Sequence, residues 1–203
     1  TRDGKATLEN AAYVVKVPGG RNLLIVSLEW GPRRFAVEWA REIFARPRFR
    51  DHLGILLIHD YLLPSNQRDG QDGNRKRPGN PHWYKTGLGG DTHDGEDLWN
   101  TLVRKTPNLR LVLNGHEMGA HVGYRQDDND AGKAVHQMLF NAQGLGGGSD
   151  HRGNGGDGWL RLLTFEPDGR TLSVRTFSPL RLQDGRSHYW DDPRWRFSVD
   201  FSG

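Results

Sequence analysis

Cysteine is absent from this chain, which excludes disulfides, thiolate metal sites and cysteine nucleophiles. Long apolar runs are missing as well: none approaches the roughly 20 residues that a membrane span needs. Behind Thr1 to Lys5 no apolar segment follows that would serve as a signal peptide, so any leader is expected upstream. Hydrophobic residues make up only 34%, against roughly 45–50% in ordinary domains on a count that includes glycine. A strong charge of one sign is lacking too, the formal net charge being +3. There is no G-x-S-x-G elbow, so a serine hydrolase is unsupported. The glycine-rich stretch from Gly144 to Gly158 fits neither a phosphate-binding loop nor a dinucleotide fingerprint. Asp127, Asp128 and Asp130 lack the spacing of a calcium loop. Both segments read as solvated, flexible loops.

What remains is a chain of 203 residues, long enough for one domain with a real core. Its 27 glycines and 7 tryptophans suggest long polar loops around an aromatic-rich centre. Arginine outnumbers lysine, and guanidinium groups suit bidentate contacts with phosphate or carboxylate. An arginine-rich overall composition is the more ordinary account of that bias, since charge bears on association more than on fold.

The dense apolar segments give the architecture. Ala11 to Val17 and Leu23 to Leu28 read as a hairpin around Pro18-Gly19-Gly20. Pro32 opens a helix whose apolar face carries Phe35, Trp39, Ala40, Ile43 and Phe44. Gly54 to Ile58 is a continuous apolar run, the mark of a strand covered on both faces. A long polar loop follows, about residues 62–93, of the kind that is usually functional or mobile. A second helix is expected from about Glu96 to Lys105, and a strand from Leu109 to Leu113. Right-handed crossovers make these three strands parallel. Beyond His121 the expected strands are Val135 to Asn141, Trp159 to Phe165, Thr171 to Phe177 and Phe197 to Phe201, with no helix between them. The fold class is therefore α/β running into a β-rich second part, α+β in its segregation, as one domain over residues 1–203.

Ligands of open parallel sheets sit outside the carboxyl ends of the strands. Those ends carry Glu29 and Trp30, then His59 and Asp60, then Asn114, His116 and Glu117. Imidazole and carboxylate together suit Zn, Fe, Mn or Ni, and such an ion activates water or polarises a phosphoryl oxygen. A lone strand-end histidine is more often a hydrogen-bonded structural residue. Two of them closing adjacent strands make a stronger signal. The stretch from Asn74 to Lys85 interleaves basic and aromatic residues as binders of single-stranded nucleic acid or glycans do. The modest overall charge weighs against that reading.

The runs Val26 to Pro32, Leu56 to Tyr61 and Leu111 to His116 resemble, in this order, the second half of bacterial calcineurin-like metallophosphoesterases. The later runs Asn129 to Gln137, Gly158 to Leu163 and Arg175 to Pro179 extend the resemblance over most of the chain. It implies half of a two-sheet β-sandwich flanked by helices, a dinuclear divalent-metal centre and phosphate-ester substrates. It further implies His59 as the metal-binding histidine of the fourth motif and His116 as the first histidine of Gly-His-x-His. The second histidine of that motif is Met118 here, a poor ligand for a hard metal; His121 is the candidate replacement. The family's Asp-x-His, Gly-Asp-x-x-Asp and Gly-Asn-His-Asp/Glu motifs have no counterpart in the required order. Asp91 and His93 form an Asp-x-His only within the long loop. No catalytic residue is therefore singled out, and activity of the chain alone is not expected. Self-association, or pairing with the missing N-terminal half, is expected instead. The resemblance also leans towards an exported protein. The competing expectation is a non-catalytic module that uses the 74–85 loop to bind nucleic acid or glycan.

Overall fold

The computed structural model describes residues 8–17, 20–84, 91–146 and 155–202. Strands β1 (Ala11–Val15) and β2 (Leu23–Ser27), both built on continuous apolar runs, pair antiparallel. Helix α1 (Arg34–Phe44) follows. Its start is held by carboxylates brought from elsewhere: Arg33 N donates to Glu29 Oε1 at 3.1 Å and Arg34 N to Asp91 Oδ1 at 2.6 Å. Asp91 thus serves a helix terminus, and His93 Nδ1 lies 2.9 Å from the Pro32 carbonyl. The Asp-x-His of the loop is a clip onto α1. The helix buries Ala36, Val37, Ala40, Ile43 and Phe44, while Phe35 and Trp39 flank that face partly buried.

Strand β3 (Leu53–Leu57) and strand β4 (Leu109–Asn114) add to β2 in parallel. Between them α2 (Gly95–Leu98) widens at once into a π-helical turn over Trp99–Val103, with Arg104 N reaching back to Trp99 O. Leu98, Trp99, Leu102 and Val103 are buried, as the sequence pattern requires.

The next part departs from the sequence reading. Asp127 and Asp128 are not in a solvated loop but on strand β5 (Val122–Asp128), which pairs antiparallel with β6 (Ala134–Phe140). The β6 strand inserts parallel to β4, so the large sheet runs β1-β2-β3-β4-β6-β5. What hid β5 is its alternation, apolar at Val122 and then charged or polar at every outward position, with no apolar run to mark it. The residues of the glycine-rich stretch at 147–154 lie outside the described residues.

A smaller antiparallel sheet covers one face of the large one. It comprises β7 (Leu160–Phe165), β8 (Thr171–Phe177), β9 (Tyr189–Trp190) and β10 (Phe197–Asp200). The β7 strand pairs with one edge of β8, and β10 and β9 pair in succession with the other. A short helix α3 (Pro179–Gln183) stands between β8 and β9, where no helix was expected. Ser178 starts it, its hydroxyl accepting from Arg181 N at 3.1 Å.

The parallel strands read as unbroken apolar runs because both faces are covered. Leu23, Leu53, Ile55, Leu111 and Met138 face Leu172, Val174, Val199 and Phe201 of the small sheet. Leu24, Val26, Leu56, Val112 and Leu139 pack against the helices. A bulge around Arg110, where Gly54 pairs with Leu109 but Ile55 with Leu111, keeps both Leu109 and Leu111 inside on opposite faces. The outer edge is less covered: Tyr13, Val14 and Val15 of β1 are exposed.

The long loop is tied to this frame by Arg68, a buried guanidinium. It contacts Glu96 at 2.6 Å and Asp127 at 2.8 Å and lies over the Trp99 ring. Asp127 also accepts from Arg125 and from Gln137 at 2.9 Å, and Gln137 meets the buried Tyr61 hydroxyl at 3.1 Å. Burial alone would raise the Asp127 carboxyl, yet these donors and the Arg68 charge hold it down at about 2. Because this folded value lies below the unfolded one of about 3.9, the contribution is present above that pH and lost as pH falls through about 2. Asp127→Asn is expected to lower stability at neutral pH in urea titrations, and its deficit against wild type should shrink steadily from about pH 4 to about pH 2. A deficit independent of pH over that window would show that Asp127 acts through shape and not through charge.

Candidate metal centre

In the parallel register Leu57 stands beside Leu113, and the ladder continues past the strand ends. Ile58 N donates to Leu113 O and Gly115 N to His59 O, each at 3.1 Å. His59 and His116 therefore leave the sheet level with one another. His116 then adopts φ 63°, a left-handed conformation that costs a non-glycine residue about 1–2 kcal/mol. Its carbonyl is fixed by Asn141 Nδ2 at 2.8 Å. This turn brings His116 Nδ1 to 3.0 Å from His59 Nε2. Two nitrogens each about 2.1 Å from one ion, at about a right angle, would be spaced by about 3.0 Å. Burial and the neighbouring His116 lower the pKa of His59, which favours the neutral imidazole that binds metals.

Trp30, from the end of β2, packs edge-on to His59 at 6.2 Å and lies 5.8 Å from His116, and the Tyr84 ring meets it edge-on at 4.7 Å. Its Nε1 is buried without an acceptor among the described residues. Glu29, from the same strand end, does not join the pair: its carboxylate closes back on Arg33. Beside the histidines a cavity of about 630 Å³ opens between the sheets, lined by Leu28, Ile58, Phe140, Trp159 and Leu160 as well as His59.

Below the imidazoles lies a nest of carboxylates. Asp60 is 2% exposed and Asp69 1%. One ligand atom each of Asp60, His116 and Glu117 lie within 4.8 Å of one another. Neither oxygen of Asp60 meets a hydrogen-bond donor among the described residues. Burial, with Asp69 and Glu117 alongside, pushes its carboxyl up to about 9. Arg77 is the cation of this nest, at 2.9 Å from both Asp69 and Glu117. Imidazole and carboxyl groups of this kind, once the carboxyl has given up its proton, suit Zn, Mn or Fe.

The loop 74–84 folds over this nest instead of standing free. Arg75 pairs with Asp97, and His82 Nε2 sits 2.8 Å from the same carboxylate. Asp94 completes that second cluster, but it caps α2 and accepts from Asn80 Nδ2 at 3.3 Å, so its oxygens are already used. Arg75 and Arg77 are thus engaged by the chain's own carboxylates, while Trp83 and Tyr84 stay exposed. Lys85 lies outside the described residues.

His121 stands apart from the pair. Its backbone is also left-handed, at φ 67°, and its Nδ1 faces Asn141 O at 3.2 Å. Met118 is exposed. Among the described residues no group of three close metal-type donors includes His121, nor does one include His59, whose Nε2 faces His116 Nδ1. The sequence alone pointed to His59, His116 and His121 and noted Asp60 and Glu117 at the same strand ends; of these, Asp60, His116 and Glu117 come together in one group. Sequence reasoning missed Asp69 and Arg77, which reach the nest from an aperiodic polar loop, and no spacing signal marks them.

No family model matches the chain. It is similar to the uncharacterized protein YvnB of Bacillus subtilis (strain 168), 29% identical over 190 residues. That match covers 90% of this chain and 12% of the relative, so the chain spans a small part of that protein's length.

Gly79 closes the loop over the centre at φ +102°, and a Cβ there would stand 3.3 Å from His116 Nε2 and 3.0 Å from Glu117 Oε1. Gly79→Ala is expected to cost about 1–2 kcal/mol in chemical denaturation, from left-handed strain and this crowding. An unchanged midpoint would mean that the loop lifts away from His116 at no cost.

Proposed function

We propose that this chain carries the histidine side of a metal-dependent phosphate-ester hydrolase centre, as its resemblance to calcineurin-like metallophosphoesterases implies. The observation that carries the reading is the 3.0 Å approach of His59 Nε2 and His116 Nδ1 at the ends of adjacent parallel strands. These two nitrogens would hold a divalent ion, of Zn, Fe, Mn or Ni. Such an ion, when bound, supplies an activated water and a Lewis acid for the phosphoryl oxygen. The rest falls to the protein. Trp30 and Tyr84 shield the imidazoles from water on one side. The largely apolar cavity beside His59 is suited to the alcohol portion of an ester. In this reading the chain is the second half of a calcineurin-like sandwich. The bridging aspartate and general-acid histidine belong to a segment or chain beyond these residues, so hydrolysis by this chain alone is not expected.

The reading is tested by elemental mass spectrometry on the untagged chain after incubation with each ion and removal of the excess. The expected result is about one equivalent or more of Zn, Fe, Mn or Ni, with retention falling in a His59→Ala and His116→Ala double variant. No retained metal with any of the ions would overturn it.

A further inference from the structure

The carboxylate nest holds more negative charge than its cation covers. Three carboxyl groups, Asp60, Asp69 and Glu117, meet the one guanidinium of Arg77, which pairs with Asp69 and Glu117. Asp60 is left over, 2% exposed, with neither oxygen meeting an N–H or hydroxyl donor among the described residues and with the Asp69 carboxyl as its neighbour. A buried carboxylate without a partner is costly, and is relieved by a proton or by a cation. One of its oxygens lies in a cluster with a ligand atom of His116 and one of Glu117, all within 4.8 Å of one another.

His116 offers a nitrogen on each side. Nδ1 faces His59 at 3.0 Å, whereas Nε2 faces Glu117 Oε1 at 3.8 Å. The second nitrogen is therefore directed at the acidic nest and away from the histidine pair. Ligands about 2.1 Å from one ion stand at most about 4.2 Å apart, so a small inward movement of the Glu117 or Asp60 side chain closes the set. Glu117 is otherwise held by Arg77, at 2.9 Å.

We propose that Asp60, Glu117 and His116 Nε2 form a divalent-cation position of their own, independent of His59 and built from carboxylates that this chain supplies itself. Two carboxylates and one imidazole suit Mn²⁺ or Zn²⁺. When the ion enters, Glu117 exchanges Arg77 for the metal, and Arg77 keeps Asp69. His116 serves this position through Nε2 or the histidine pair through Nδ1, one neutral nitrogen at a time. The competing occupant is a proton on Asp60, shared with the adjacent Asp69.

The experiment is isothermal titration of the metal-free chain with Mn²⁺ and with Zn²⁺, together with the metal-induced rise in Tm. It compares wild type with Asp60→Asn, Glu117→Gln and His59→Ala. The expected result is that Asp60→Asn and Glu117→Gln each weaken binding by more than the about 10–100-fold typical of losing an outer-shell partner, and lose the rise in Tm. His59→Ala, which removes the histidine pair, should lose whatever ion that pair holds and keep the Mn²⁺ or Zn²⁺ binding that depends on Asp60 and Glu117. Asp60→Asn mimics the protonated carboxyl, so its metal-free Tm and far-UV spectrum should match wild type; Glu117→Gln, partly exposed, supplies the same test should Asp60→Asn fold poorly. If His59→Ala abolishes binding while Asp60→Asn and Glu117→Gln bind as wild type does, the position is overturned and the histidine-pair centre stands. If the wild-type chain binds neither ion, the position is overturned as well and a proton is the resident of the nest.

Discussion

The parallel pairing of β3 with β4 is the constraint on which the centre depends. Because Leu57 stands beside Leu113 and the ladder runs on to Gly115, the two histidines emerge side by side at the same level. A slip of one residue would turn every side chain beyond it to the opposite face. Two-sided burial guards against such a slip, since Leu56 and Val112 belong under the helices while Ile55 and Leu111 belong under the small sheet. The bulge at Arg110 belongs to the same arrangement: it resets the alternation so that both faces of β4 stay apolar. The core thereby fixes the position of two imidazoles that themselves contribute little to it.

Around that fixed pair the structure gathers charge by way of the long loop. Arg68 fastens the loop's first part to α2 and β5, and Arg77 fastens its middle to Asp69 and Glu117. Both are arginines, whose forked guanidinium meets two carboxylates at once. Gly79 then lets the chain pass within contact distance of His116. One device thus orders a polar loop that lacks apolar anchors of its own and builds an acidic floor under the imidazoles. Asp60 is the residue this arrangement leaves unmatched. A protein gains no stability from an uncompensated buried carboxylate, and strain of this kind gathers at functional sites.

The legible part of the fold was the part with periodicity. The hairpin, α1, β3 and β4 each show an apolar run or face long enough to identify, and their order dictates the parallel sheet. Strand β5 escaped because its outward residues are polar and its neighbour β6 supplies the apolar contacts. The π-helical turn at Trp99–Val103 keeps the expected buried residues and changes only the hydrogen-bonding period. Helix α3 is too short for any pattern and rests on the Ser178 cap. At the centre, His59, Asp60, His116 and Glu117 could be found because position at a strand end is a property of local sequence. Asp69 and Arg77 could not, because nothing in a run of glycine, asparagine and arginine says which cation will meet which carboxylate.

The amino-acid sequence by itself determined the hairpin, α1, the parallel course of β2, β3 and β4 and the presence of two histidines at adjacent strand ends, since hydrophobic periodicity and turn chemistry act over a few neighbouring residues. Only the tertiary structure decided that Glu29 would be spent on Arg33, that His121 would turn to Asn141, and that Asp60 would be buried beside Asp69 without a donor. Those outcomes depend on contacts between residues far apart in the chain. Their energies come from desolvation and pairing of charge, which no local pattern encodes.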